Sequence, residues 1–212
     1  MKLEEEIEHL TQMVVKMADV VLDNLRIALE IYYQYDETKI ELINDDLVDM
    51  HERLIEEMCL NIMLKERPYA KDLRKVSGIL KLVEDIERLG DHAEDIRDFA
   101  VKISNASHHK IPKLDEAIII TLKMVNDSIL SFVNKDINLA NDVIKRDDLV
   151  DKLYNECLDI IIENNKKDYS SEFSIYTTFI VKYIERIADH AVNVAEWVIY
   201  ILRGYHKDKQ IF

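Results

Sequence analysis

The stretch ERLGDHAEDIRDF, Glu87 to Phe99, returns ninety-eight residues later as ERIADHAVNVAEW, Glu185 to Trp197. A second phrase, DDLVD, occurs at Asp45–Asp49 and again at Asp147–Asp151, an offset of 102. The two offsets differ by about one helical turn, which is absorbed between the second and third helices of each half. Around both phrases apolar residues recur at three- and four-residue steps, the signature of amphipathic helices. A chain that repeats in this way builds the same unit twice. The expected fold is all-α: two tandem antiparallel three-helix bundles, over residues 1–105 and 112–205.

Working outward, helices are expected at about Leu3–Gln34, Thr38–Lys65 and Pro68–Ile103 in the first half. In the second they are expected at Pro112–Val133, Ile137–Asn164 and Glu172–Leu202. Pro68 and Pro112 suit a first helical position, and Gly204 sits where a helix-ending glycine belongs. SNASHHKIPK, Ser104–Lys113, reads as the one clear loop. Gly90 and Ala188 share a repeat position, and a small residue in both copies points to a close helix contact.

Composition agrees. The 212 residues include only 3 Gly and 2 Pro, so little turn chemistry is present. With 42 acidic against 28 basic residues the formal charge is −14, which disfavours DNA binding and favours cations or basic partner surfaces. The two cysteines, Cys59 and Cys157, lie far apart without a motif, as in a reducing compartment. The acidic start MKLEEEIEHL is not a signal peptide. No apolar run approaches the roughly 20 residues of a membrane span. A cytoplasmic protein is expected.

The acidic residues are patterned. Glu87, Asp91, Asp95 and Asp98 fall at i, i+4, i+8 and i+11, and Glu185, Asp189, Asn193 and Glu196 take the same places. Asp45, Asp49, Glu52 and Glu56 stripe the second helix; Asp147, Asp151 and Asn155 stripe the fifth. A single acidic stripe opposite an apolar face is ordinarily a solvated face, and like charges four apart repel by a few tenths of a kcal/mol. Here an Asp or Glu four residues before an Asp occurs on each of the second, third, fifth and sixth helices. If those helices face each other in pairs, each bundle gains an oxygen-rich site suited to a hard cation such as iron, manganese, magnesium or calcium.

His92 and His190 follow the key aspartates. They are expected as partly buried residues bonded to a neighbour, with a ligand role the lesser reading. Phe173, Tyr176, Phe179, Ile180, Tyr183 and Ile184 read as core, and Tyr32, Tyr33 and Tyr35 as packing or interface. A glycine-rich phosphate loop, a nucleophile elbow and Cys/His zinc spacing are all missing, so no catalytic residue is expected.

RPYAKDLRKVSGILKLVEDIERLGDHAEDI and YTTFIVKYIERIADHAVNVAEWVIYI resemble the signature helices of the PhoU family, and the resemblance extends over essentially the whole chain. It implies two tandem three-helix bundles with multinuclear iron or zinc clusters on their surfaces. By resemblance, one cluster is held by Asp45, Asp49, Glu87 and Asp91. The other is held by Asp147, Asp151, Glu185 and Asp189, with Asp95, Asn193, Asp98 and Glu196 completing the shells. The family is cytoplasmic, often dimeric, and not known as an enzyme. It limits phosphate uptake and represses the phosphate-starvation response by linking the phosphate ABC transporter ATPase to a membrane sensor histidine kinase. Asn155 and Asn193 in the second half imply that the two sites need not hold equal numbers of metals.

Two other readings are open on the residues alone. A carboxylate-bridged di-metal oxidase of the ferritin-like kind needs Glu-x-x-His on core-facing helices, and the one helical instance is Glu6–His9. A metal-free structural helical module needs only solvated acidic faces.

Overall fold

The computed structural model describes residues 2–104, 111–166, 169–206 and 209–210. In chain order the elements are α1 (Lys2–Tyr33), α2 (Glu37–Ile40), α3 (Asp45–Lys65), α4 (Ala70–Ile103), α5 (Pro112–Asn134), α6 (Ile137–Asn165) and α7 (Ser171–Arg203). After α7, β1 (Tyr205–His206) pairs antiparallel with β2 (Lys209–Gln210). α1, α3 and α4 pack as one bundle and α5, α6 and α7 as the other, as the repeat predicts.

Each bundle closes because its helices bury one stripe. On α1 that stripe is Leu10, Val14, Met17, Val21 and Leu25; on α7 it includes Phe173, Ile180, Ile184, Ile187 and Val194. Each such side chain, fully buried, stabilises by about 1.5–3 kcal/mol before entropy is counted. Phe179, expected in the core, is instead 45% exposed and stacks on Phe99 at 4.9 Å. Tyr32 is buried, while the Tyr33 hydroxyl donates to Asp115 at 2.9 Å and ties α1 to α5.

The second helix does not begin at Thr38. Asp36 caps the short α2, the chain turns, and Asn44 caps α3 by accepting from the Leu47 amide. The cause is a length difference between the repeats. Asp136, which caps α6, precedes Asp147 by eleven residues, about three full turns, so one unbroken helix delivers Asp147 to its neighbour. Asp36 precedes Asp45 by nine residues, about two and a half turns, so an unbroken helix would aim Asp45 the opposite way. The helix must stop and restart.

Pro68 is also not a first helical residue. Arg67 turns with a positive φ of 45°, and the chain runs extended through Tyr69 before α4 begins at Ala70. Pro112 does open α5, and Gly204 ends α7 in the left-handed conformation with φ 86°. Of the expected loop, residues 105–110 lie outside the described residues.

The bundles meet chiefly along α4 and α7, with a lesser contact of α1 on α5. At this seam the Asp85 carboxylate, on α4, is met by three side chains of α7. Asn193 donates its amide to Oδ1 at 3.0 Å, Trp197 donates its indole N–H to Oδ2 at 3.1 Å, and His190 Nδ1 stands 2.9 Å from Oδ1. The 98-residue offset maps this cluster onto Tyr183, His92, Asp95 and Phe99, which also lie together. The Tyr183 ring is 5.1 Å from His92 and 5.9 Å from Phe99, and Asp95 is near enough to help burial push the Tyr183 phenol up. His92 and His190, equivalent in the repeat, face each other at 5.5 Å. The seam therefore has a local two-fold symmetry passing between the two histidines.

Removing the Asp85 carboxylate leaves its α7 donors in a half-buried seam without an acceptor, which costs about 2–4 kcal/mol. Asp85→Ala is expected to lower the melting temperature by roughly 5–12 °C, read by calorimetry. An unchanged melting temperature would show that the cluster does not hold the bundles together.

Candidate functional site

The first carboxylate group forms where α3 lies against α4. Gly90 sets the approach: a Cβ there would stand 3.2 Å from both Asp45 Oδ1 and Val48 Cγ1, as the small residue at this repeat position predicts. Asp45 opens α3, and one of its oxygens, Oδ1, is buried without a hydrogen-bond partner. Burial first, then the nearby Glu94, Asp91, Asp49 and Asp46, push its carboxyl up to about 6. Glu87 rises to about 7, from burial and from Asp91, Glu52 and Asp49, against the opposing pull of Arg88. Glu52 is raised by burial and by Glu56. Arg88 spans the group, 2.6 Å from Asp91 and 3.5 Å from Glu87, and Arg53 lies 3.6 Å from Asp49.

The second group forms where α6 lies against α7. Asp147 rises to about 6 through burial and then Asp189, Asp151, Asp148 and Glu185. Asp189, more open to solvent, is also pushed up, by partial burial and then by Glu185 and Asp151. Lys182 pairs with Glu185. Asn155 turns along its own helix, its amide donating to the Asp151 carbonyl at 2.8 Å. Of the residues expected for each site, Asp45, Asp49, Glu87 and Asp91 in one bundle and Asp147, Asp151, Glu185 and Asp189 in the other lie within electrostatic reach of neighbours in their group.

The stripes do not hold to their far ends. A residue at i+8 stands about 80° around the helix from residue i, far enough to face a different neighbour. Asp95 accordingly turns to His92, 3.4 Å away, and to Tyr183, while Asn193 bonds Asp85. Both belong to the bundle seam. Asp98 pairs with Arg97 at 3.0 Å, and Glu196 is half-buried farther along α7. In return Glu94, seven residues after Glu87 and so about 20° from it, faces Asp45. The helical spacing could have flagged it. Its repeat equivalent is Val192, so the comparison of copies did not. His92 is buried, and burial pushes its imidazole down, as expected of a residue bonded to its neighbour.

Chemically, the groups offer oxygen donors alone, already crowded enough to resist ionisation. A buried, unpartnered Asp45 oxygen and raised carboxyls on facing helices fit a hard cation, whose charge reverses the mutual repulsion. As they stand, no three His, Cys, Asp or Glu side chains among the described residues converge on one point. Arg88 and Lys182 occupy the space between carboxylates and must swing aside for an ion to be held.

Comparison with known proteins gives these groups a context. The PhoU domain model matches residues 14–100 and 114–198, one match in each half of the chain. The phosphate-specific transport system accessory protein PhoU homolog of Aquifex aeolicus is 37% identical over 96% of this chain and 94% of its own. That of Clostridium acetobutylicum is 33% identical over 97% and 96%. The crystal structure of PhoU from Pseudomonas aeruginosa superposes with a TM-score of 0.90 at 28% identity, covering 95% of this chain and 99% of that one. Two matches within one chain, and relatives this similar along nearly the whole length, make this chain a member of the PhoU family.

Proposed function

We propose that this protein is a cytoplasmic accessory regulator of phosphate homeostasis that acts by binding partners rather than by catalysis. Membership of a family whose relatives are named as accessory proteins of the phosphate-specific transport system supports this reading. The proposed partners are the ATPase of a phosphate ABC transporter and a sensor histidine kinase, with negative control of uptake and of the starvation response, by a homodimer. No helix among the described residues is long and apolar enough to cross a membrane. A surface of net charge −14 steers basic partner faces toward it. The functional test is deletion of the gene, followed by phosphate uptake and starvation-gene expression at high phosphate. Derepression supports the regulator; normal repression excludes it.

The carboxylate groups are proposed to hold iron or zinc ions, one cluster per bundle. Asp45, Asp49, Glu87, Asp91 and Glu94 form one, and Asp147, Asp151, Glu185 and Asp189 the other. The bound ions supply positive charge that neutralises the crowded oxygens. The observation that carries this reading is the pair of carboxylate clusters repeated at equivalent places. A ferritin-like oxidase is disfavoured by position: His9 is exposed, and the carboxylates lie between two helices at the bundle surface rather than in the core.

Protein purified without chelator or affinity tag should contain metal by elemental analysis. Asp91→Ala and Asp189→Ala should each lose a substantial share of it, the residual share reporting the other bundle. A metal-free wild type, or full retention in both variants, would refute the sites.

In chelator the same crowding sets a pH dependence. Asp45, Glu87 and Asp147 hold protons more readily in the folded chain than in the unfolded one. Stability is therefore greatest near the unfolded carboxyl range, about pH 4, and falls as pH rises to about 7. Urea denaturation across that range should show the decline, and Asp147→Asn should flatten it. Stability that rises over this range would contradict the crowding.

A further inference from the structure

The bundles also meet at two places beside α1 and α5 that the repeat relates, and the two are filled differently. The offset is 98 between α4 and α7. It is 100 between α1 and α5, where buried Val14, Met17 and Val21 match buried Leu114, Ala117 and Thr121. At one place rings fill the space. Tyr169 stands edge-to-face with Phe173 at 5.0 Å, Tyr32 with Tyr33 at 5.2 Å, and the Tyr33 hydroxyl donates to Asp115. Burial first, with Tyr169 among the neighbours that add to it, pushes the Tyr32 phenol up, so the two ring pairs adjoin. At the other place Lys71 and Lys75 stand for Tyr169 and Phe173, Val133 and Lys135 for Tyr33 and Tyr35, and Val15 for Asp115. What results is a cavity of about 860 Å³, where α1 and the start of α4 meet the ends of α5 and α7.

Its walls are largely apolar and, apart from Phe132, aliphatic: Ile7, Val15, Val198, Ile201 and Leu202. Three acids, Glu4, Glu8 and Asp72, share the lining with four lysines, Lys16, Lys71, Lys75 and Lys135, in a chain whose net charge is −14. Lys75 is half-buried, while Lys71 and Lys135 are exposed. Burial first, then Lys135, pushes the Lys75 amine down, and the opposing pull of Glu8 and Asp72 does not make up the difference. Among the described residues no side chain forms a hydrogen bond or ion pair with the amine of Lys71, Lys75 or Lys135. A cation drawn out of water beside a second cation is short of negative charge, and a bound anion supplies it. Three rings in one copy have thus become three lysines in the other.

A cavity of this volume suits an organic molecule rather than a bare ion. One ring among aliphatic walls makes no stacking platform, so the apolar part of the ligand is a chain. We infer that this cavity binds an acyl carboxylate, its chain against Ile7, Val15, Val198 and Ile201 and its head group at Lys75, with Lys71 and Lys135 beside it. The chain gains by leaving water, and the carboxylate supplies the charge that the lysines lack. The inference is independent of the carboxylate groups and of the regulatory role proposed above.

The test is calorimetric titration of the full protein, in chelator, with octanoate, and with octanol, acetate and inorganic phosphate as controls. Saturable binding of octanoate at one site per chain is expected, with octanol at least about tenfold weaker and neither acetate nor phosphate saturating. Lys75→Phe installs the residue that the other copy buries at this position, so it should fill the cavity and abolish binding. Lys75→Met keeps a side chain of similar length without the charge. It should weaken octanoate at least about tenfold and leave octanol unchanged. Circular dichroism checks that both variants fold, and the comparison of octanoate with octanol on the unsubstituted protein decides the matter even if they do not. Four results would overturn the assignment: no saturable octanoate binding at millimolar concentration, octanol binding as tightly as octanoate, phosphate binding as tightly as octanoate, or undiminished octanoate binding by a folded Lys75→Met protein.

Discussion

The pairing of α4 with α7 is the constraint on which the rest of the structure depends. Both helices supply the third wall of their own bundle and also the seam between bundles, so each must satisfy two partners at once. An α-helix presents distinct faces at fixed angles, and these two use nearly all of theirs. One face is apolar and buried, one carries the carboxylates toward α3 or α6, and one carries polar and aromatic groups toward the opposite bundle. The carboxylate groups are held in place because their helices cannot rotate without breaking the seam. That fixity keeps Asp45, Glu87 and Asp147 partly buried and close to like charges, and the two effects, burial first, raise their proton affinity.

Much of this was legible in the residues. The doubled acidic phrase dictates two equivalent units, and the spacing of apolar residues dictates helices. The four carboxylates at i and i+4 on each facing pair arrive together because neighbouring turns of one helix share a face whatever the tertiary detail. What was not legible follows from the same geometry. By the second turn beyond, a 3.6-residue period has carried the stripe round to another neighbour. Asp95 and Asn193 therefore serve the seam. Nothing in a single sequence says where one neighbour ends and the next begins. Asp85 escaped for a related reason: its repeat equivalent is Tyr183, so comparing the copies hides an acceptor that three α7 side chains approach.

The break before α3 was also present in the chain, but only as a count. Nine residues separate Asp36 from Asp45 and eleven separate Asp136 from Asp147. Apolar periodicity reads through the difference, because short stretches on either side remain helical. Register around the helix axis does not. An aspartate that must face α4 ends up on the wrong side unless the helix is interrupted. Asn44, which in a local reading is only another polar residue, is the cap that lets α3 restart.

His92 and His190 stand where the symmetry of the seam passes between the two bundles. In a true homodimer such a position always meets its own copy, so any substitution there is made twice and must suit itself. Here the two copies are encoded separately within one chain. Each side of the seam is free to acquire a different residue, and the differences between Phe99 and Trp197, or between Phe179 and Lys81, are changes that only a covalently joined pair can keep. A duplicated interface becomes, in this way, raw material for an asymmetric one.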